Sequence, residues 1–135
     1  MSTLSSLEKY SLFRGTLMLA ISVVVPFVGP ETFLKMLPNL GFPKELATAS
    51  GATVSIAGSL MMRDLGLGVG HLLAAKLKNE VLSRSMALVH ALEIVGILCY
   101  SPYAAMLSFS PFLALDAVAI FVLPGPDDAG KRKSK

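Results

Sequence analysis

Apolar residues run nearly unbroken through four stretches of the chain, 11–28, 48–77, 83–100 and 103–123, separated by short connections rich in proline, glycine or charge. A helix of a water-soluble bundle keeps a polar face that recurs with the helical period. The run LMLAISVVVPFV in the first stretch has none. A membrane helix needs about 17–25 predominantly apolar residues. The first and third stretches just meet that length, the fourth meets it comfortably, and the second is long enough to tilt. The pattern predicts an all-α protein: a four-transmembrane-helix bundle over 1–124, followed by a basic tail, 125–135, expected to be disordered. The first stretch ends in Pro26-Phe27-Val28-Gly29-Pro30 and lacks both a basic leader and a small-residue cleavage site, so it reads as an uncleaved anchor.

Charge placement adds a direction. Lys9, Arg14, Lys76, Lys78, Arg84, Lys131, Arg132, Lys133 and Lys135 would all share one side of such a bundle, nine of the twelve Lys and Arg. Lys35 and Lys44 fall on the other side, and Arg63 lies within a helix. The positive-inside rule then puts both termini in the cytosol. Tyr10, Tyr100 and Tyr103 fall near the expected membrane edges, where tyrosine is enriched. In the longest connection, 29–45, Pro30 suits the first turn of a helix. Phe33, Leu34, Met36 and Leu37 could rest that helix in the interface, and Pro38 and Pro43 bracket the turn that follows.

Composition agrees and narrows the chemistry. The chain is 53% hydrophobic and 16% charged over 135 residues, against about a quarter charged in soluble domains. A net charge of +3 could suggest nucleic acid, but no basic face interleaved with aromatics exists, so the expected partner is the lipid bilayer. The basic tail suits the anionic cytosolic leaflet. A single cysteine, Cys99, excludes an intrachain disulfide and a CxxC redox pair.

Apart from Lys76 and Arg84 at their margins, seven charged or histidine residues interrupt the stretches: Arg14, Arg63, Asp64, His71, His90, Glu93 and Asp116. Arg14 sits near a cytosolic end and is expected to snorkel. Arg63 and Asp64 each cost about 2.5–3.5 kcal/mol to insert near a helix centre. The Leu, Ile and Val residues around them return about 0.3–0.6 kcal/mol apiece, so the second helix needs partners. Counted at about 1.5 Å per residue from each cytosolic end, Glu93 and Asp116 lie about 12–16 Å deep, Arg63 and Asp64 about 20 Å and the histidines about 10 Å. At 100° per residue, Arg63, Asp64, Leu67 and His71 share one sector, Ser83, His90, Glu93 and Tyr100 another, and Asp116 a third with Phe109 and Phe112. These stripes are expected to converge on one pocket, with the first helix contributing nothing. Ala47, Gly51, Ser55 and Ser59, then Gly66 and Gly70, follow the small-xxx-small spacing that lets helices approach in lipid. GLGVG lacks the spacing and the preceding strand of a nucleotide fingerprint.

Three features together resemble a known pattern. Gly41-Phe42-Pro43, Arg63-Asp64-Leu65-Gly66-Leu67-Gly68 and Asp116 are similar to the Gly-x-Pro turn, the Arg-Asp-Leu-x-x-Gly motif and the last-helix aspartate of a family of small fungal integral membrane proteins of unknown function. The resemblance covers most of the chain and implies four membrane helices. Some members accompany natural-product pathways, which implies a role with a lipophilic small molecule. It brings no catalytic residues, cofactor or metal ligands.

Three carboxylates against one buried arginine suggest acid–base chemistry, because an unpaired carboxyl group in low dielectric stays neutral while one beside a guanidinium stays ionised. The expected site has Asp64 held ionised by Arg63, Glu93 or Asp116 as proton donor, and His90 as a shuttle. It would isomerise or cyclise a lipophilic substrate entering from the membrane. The alternative is a non-catalytic scaffold or accessory subunit whose ion pairs specify packing. A proton-coupled transporter fits less well, since the two halves show no internal repeat. No HxxxH or HExxH spacing suggests a metal, and no cofactor is implied. The endoplasmic reticulum of a eukaryotic host is the expected membrane, with a homo-oligomer or a membrane-enzyme partner left open.

Overall fold

The computed structural model describes residues 4–40, 42–47, 51–100 and 103–125, with 24–26, 30, 40, 46, 51–53, 56–57, 100 and 103–108 described by backbone alone. Residues 126–135 of the tail, Gly41 of the Gly-x-Pro turn and the side chains of Tyr100 and Tyr103 lie outside that description. Among the described residues every element is helical: α1 Ser6–Val28, α2 Pro30–Met36, α3 Gly51–Lys76, α4 Glu80–Tyr100 and α5 Tyr103–Phe121, with 3-10 turns at Leu37–Leu40 and Lys44–Ala47.

α1 begins five residues before the apolar stretch because Ser5 and Glu8 cap it reciprocally. The Ser5 amide donates to Glu8 Oε2 at 2.5 Å and the Glu8 amide to Ser5 Oγ at 3.2 Å, which satisfies two donors of the first turn. Gly29 ends α1 with φ at 80°, a conformation costly for side-chain-bearing residues. Pro30 then opens α2 at a position where a missing N–H costs nothing.

A tight turn joins α3 to α4. Lys78 adopts a positive φ of 52°, and the amides of Lys78 and Asn79 return to the carbonyls of Ala75 and Ala74, closing α3 from its C-terminal side. Asn79 Oδ1 accepts from the Leu82 amide at 2.9 Å, capping α4. At the far end of the chain, Arg84 on α4 satisfies the orphan carbonyls of α5. It donates to Ala119 O at 3.0 Å, to Ile120 O and to Leu123 O at 2.9 Å, while pairing with Glu80 one turn back.

α1 packs most closely on α3, and α4 on α5. The first contact depends on glycine: a Cβ built on Gly15 would stand 2.8 Å from Leu72 Cδ2 and 2.9 Å from the Gly68 carbonyl. The apolar core is small. It gathers Leu7, Tyr10, Ala87 and Ala119 at the end of the bundle where the described termini meet.

Large apolar side chains cover the outside, Phe27 and Phe121 among the most exposed. The stretch Glu80–Cys99 is long and apolar enough to cross a membrane, and only 22% of it is buried within the chain. A core helix of a soluble domain would be mostly buried, so this burial fits a lipid-facing helix. Phe109–Phe121 is apolar but shorter than a span, so among the described residues one helix, where four were expected, has the length and composition to cross a membrane.

Candidate functional site

Arg14, Arg63, Asp64, His71, His90, Glu93 and Asp116 form two clusters rather than one. The lower cluster is built on α1, the helix from which no polar stripe was expected. Leu7, Tyr10, Ser11 and Arg14 fall on one face of α1 by helical spacing, and all four are buried. Arg14 does not snorkel. Its Nη2 donates to Asp116 Oδ2 at 2.8 Å, and Tyr10 Oη donates to Asp116 Oδ1 at 2.7 Å, so both oxygens of the buried carboxylate are used. The guanidinium also lies over the Phe112 ring, 5.2 Å from its centroid. Ser11 Oγ donates to Ser83 Oγ at 3.0 Å, tying α1 to α4.

Beside this ion pair the two histidines meet. His71 Nε2 and His90 Nδ1 are 3.3 Å apart, and the edge of Tyr10 packs against the His71 ring at 5.6 Å between centroids. Both histidines are buried, and His71 Nδ1 and His90 Nε2 have no hydrogen-bond partner. Among the described residues no three His, Cys, Asp or Glu side chains gather as metal ligands would.

The upper cluster is Arg63, Asp64 and Glu93. Arg63 Nη2 donates to Asp64 Oδ1 at 2.8 Å and to Glu93 Oε1, and Arg63 Nε reaches Asp64 Oδ1 at 3.2 Å. Asp64 and His71 are two turns apart on α3, about 10 Å along its axis. The clusters also differ in access. The side chains of Arg63, Asp64 and Glu93 remain 40%, 19% and 20% exposed, against 6% and 0% for Arg14 and Asp116.

Of the expected pocket, the structure therefore brings together Arg63, Asp64 and Glu93. It places Asp116 and His90 in the sealed network below. The expectation that Arg63 meets acids from both following helices holds for Glu93 alone, because Arg14 takes Asp116. Reading Arg14 by depth missed this, since a residue's distance from the helix end says nothing about which way it points. The signal was present in the spacing: positions 7, 10, 11 and 14 make one face on which tyrosine, serine and arginine coincide.

Above the polar clusters the inward stripes open. Ile21 continues the Arg14 stripe two turns on and Leu60 continues the Asp64 stripe one turn on, yet they are 41% and 42% exposed. The bundle is thus sealed at one end by a polar lock and looser at the other, with the Arg63 cluster at the boundary.

Fold and site define a class: an all-α protein with a span-competent helix, an apolar exterior and a charged interior. No known protein family matches the chain, and comparison with curated proteins and with solved structures also found no match.

Proposed function

We propose that this is a four-pass membrane protein with both termini cytosolic, and that Arg63, Asp64 and Glu93 form an acid–base site for a lipophilic small molecule. The contrast in access supports the reading: of two charged clusters, one is sealed, with both Asp116 oxygens taken, and the other is partly open. Two carboxyl groups share one guanidinium there, and in low dielectric both do not stay ionised. Asp64, held by two guanidinium nitrogens, is the carboxylate and base. Glu93 is the neutral acid.

In an isomerisation or cyclisation, Glu93 gives its proton to an oxygen or double bond of the substrate. Asp64 takes one from a neighbouring carbon, and proton exchange between the two carboxyl groups restores the site with no net proton consumed. Arg63 keeps free N–H capacity for a substrate oxygen. Asp116 and His90 lie outside this reaction, as positioning residues. The resemblance of the Arg63–Gly68 motif to small fungal membrane proteins favours a natural-product lipophile as the substrate, and the endoplasmic reticulum is the membrane this reading expects.

Infrared spectroscopy of the protein in nanodiscs tests it. A carboxylic C=O band at neutral pH is expected, and both variants are expected to lose it while still accumulating in the membrane: Glu93→Gln by removing the acid, Asp64→Asn by leaving Glu93 as the guanidinium's one carboxylate partner. A wild-type spectrum without that band removes the acid–base reading.

A second reading, a non-catalytic scaffold or accessory subunit, has the sealed network in its favour, since buried ion pairs can serve packing alone. On that reading, apolar replacement of Arg63, Asp64 and Glu93 together leaves every cellular readout unchanged.

A further inference from the structure

A ring nitrogen of His71 on α3 meets one of His90 on α4, Nε2 to Nδ1 at 3.3 Å, with the ring centroids 4.9 Å apart. One shared proton makes that bond, and which ring donates depends on the tautomer. The outer nitrogens, His71 Nδ1 and His90 Nε2, are buried without a hydrogen-bond partner. On two neutral rings one of them carries a hydrogen and the other a bare lone pair. The pair can therefore take up one more proton, at the bare nitrogen.

The surrounding groups decide what that proton does. Tyr10 of α1 packs its ring edge on His71 and donates its hydroxyl proton to Asp116 of α5. Arg14 of α1 donates to the other Asp116 oxygen, and its Nε is also buried without a partner. The Arg14 charge acts on both histidines and the Arg63 charge on His90. Glu93 follows His90 by one turn of α4 and Asp64 stands two turns from His71 on α3, and both are bound to Arg63. Each of these carboxylates is thus already held by an arginine. A proton added to the pair makes both outer nitrogens N–H donors without acceptors. It also sets a second positive charge beside Arg14, where Asp116 alone balances the first. The sealed form has no place for that charge. Opening provides one, by admitting water or by freeing an Asp116 oxygen.

We propose that the His71–His90 pair is an acid-sensitive latch: uptake of one proton by the pair breaks the lock of Tyr10, Arg14 and Asp116 and opens the sealed end of the bundle. The latch operates whatever chemistry the Arg63 site performs. The open form binds a proton that the sealed form does not hold, so the sealed form weakens as the pH falls. The loss sets in below about pH 6.5, the ordinary imidazole value that applies once water reaches the rings. There the ratio of open to sealed protein rises about tenfold per pH unit, the linkage of one proton.

The chain has two histidines, so histidine labelled with the NMR-active nitrogen isotope reports on this pair alone. In proteoliposomes its ring-nitrogen shifts are followed from about pH 8 to about pH 4.5, either side of the ordinary imidazole value. In parallel the thiol of Ser11→Cys, in a Cys99→Ser background, reports access to the sealed end, where Ser11 is buried against Ser83. Its reaction with dithiodipyridine is read at each pH relative to the same protein denatured in dodecyl sulfate, which removes the thiol's own titration. Ring protonation and thiol labelling are expected to rise together as the pH falls and to reverse together on return to neutrality. His71→Gln with His90→Asn is the control. The Gln amide takes the place of His71 Nε2 and the Asn oxygen that of His90 Nδ1, so a cross-helix hydrogen bond stays and the titration goes. Asp116 and Glu93 are kept in that double variant, and its labelling is expected to hold at the neutral level throughout. Rings that never take up the proton, ring protonation without thiol labelling, or equal acid labelling in the double variant each overturn the proposal. Should the double variant fail to accumulate, the two curves of the titration still decide, since midpoints more than about one pH unit apart overturn the linkage.

Discussion

The most committed residue is Asp116, whose two oxygens are taken by Tyr10 and Arg14 in a region with no access to solvent. Pairing makes that burial tolerable, since an isolated charge in low dielectric costs far more than a pair whose remaining valences are satisfied. Removing one member should therefore hurt more than removing both. Asp116→Asn is expected to destabilise the protein by about 3–5 kcal/mol, because Arg14 is left charged and buried. The double replacement Arg14→Met with Asp116→Leu should recover most of that loss, as thermal unfolding in detergent micelles would show. A double variant no more stable than Asp116→Asn would mean that the pair does more than balance charge. Arg63 differs in kind: it is half exposed, and its replacement is expected to change ligand binding more than stability.

At the scale of elements, caps and glycines decide how the helices sit. The Ser5–Glu8 capping box sets where α1 begins, and so which face carries Tyr10 and Arg14 inward. The Gly15–Gly68 contact then sets how near α1 comes to α3. The expected small-residue positions were Ala47, Gly51, Ser55 and Ser59, then Gly66 and Gly70. Of these Gly70 meets α4, a built Cβ standing 2.8 Å from Met86 Sδ, whereas Ala47 precedes α3, Ser55 and Ser59 are exposed and Gly66 faces open space; the approach to α1 uses Gly68 against Gly15. Spacing marks a face as small, but only a neighbour of matching shape makes it an interface. Gly15→Val should overpack this contact and cost about 1–3 kcal/mol, measured as a drop in unfolding temperature. Gly66→Val, with open space beside it, should cost nothing and gain a few tenths of a kcal/mol, about the margin by which valine exceeds glycine as a helix former.

Across the whole molecule, two close helix pairs, α1 with α3 and α4 with α5, are joined by polar side chains. Arg14 and Tyr10 reach Asp116, Ser11 reaches Ser83, His71 meets His90 and Arg63 meets Glu93. Each of these bonds crosses from one pair to the other, so the polar residues act as the fastening between two greasy halves. Were the bundle embedded in lipid as proposed, where apolar surfaces gain little from meeting each other, such bonds and close packing would supply the cohesion. The proposed topology has a direct test. A glycosylation acceptor inserted after Pro43 should be modified in microsomes, and one in the α3–α4 turn or appended to the tail should not. Modification of the tail would reverse the orientation.

The amino-acid pattern alone determined the helical nature and approximate limits of the four long helices, because apolar runs, prolines and caps act over a few residues; the 3-10 turns at Leu37–Leu40 and Lys44–Ala47 were not legible in it. It also marked the side chains whose charge demands a partner, since their cost depends on the local medium more than on any neighbour. Which partner each found was decided by tertiary structure. Asp116 went to Arg14, and Arg63 kept Glu93, because pairing across helices depends on their relative rotation, height and order around the bundle. Periodicity along one helix fixes none of those three.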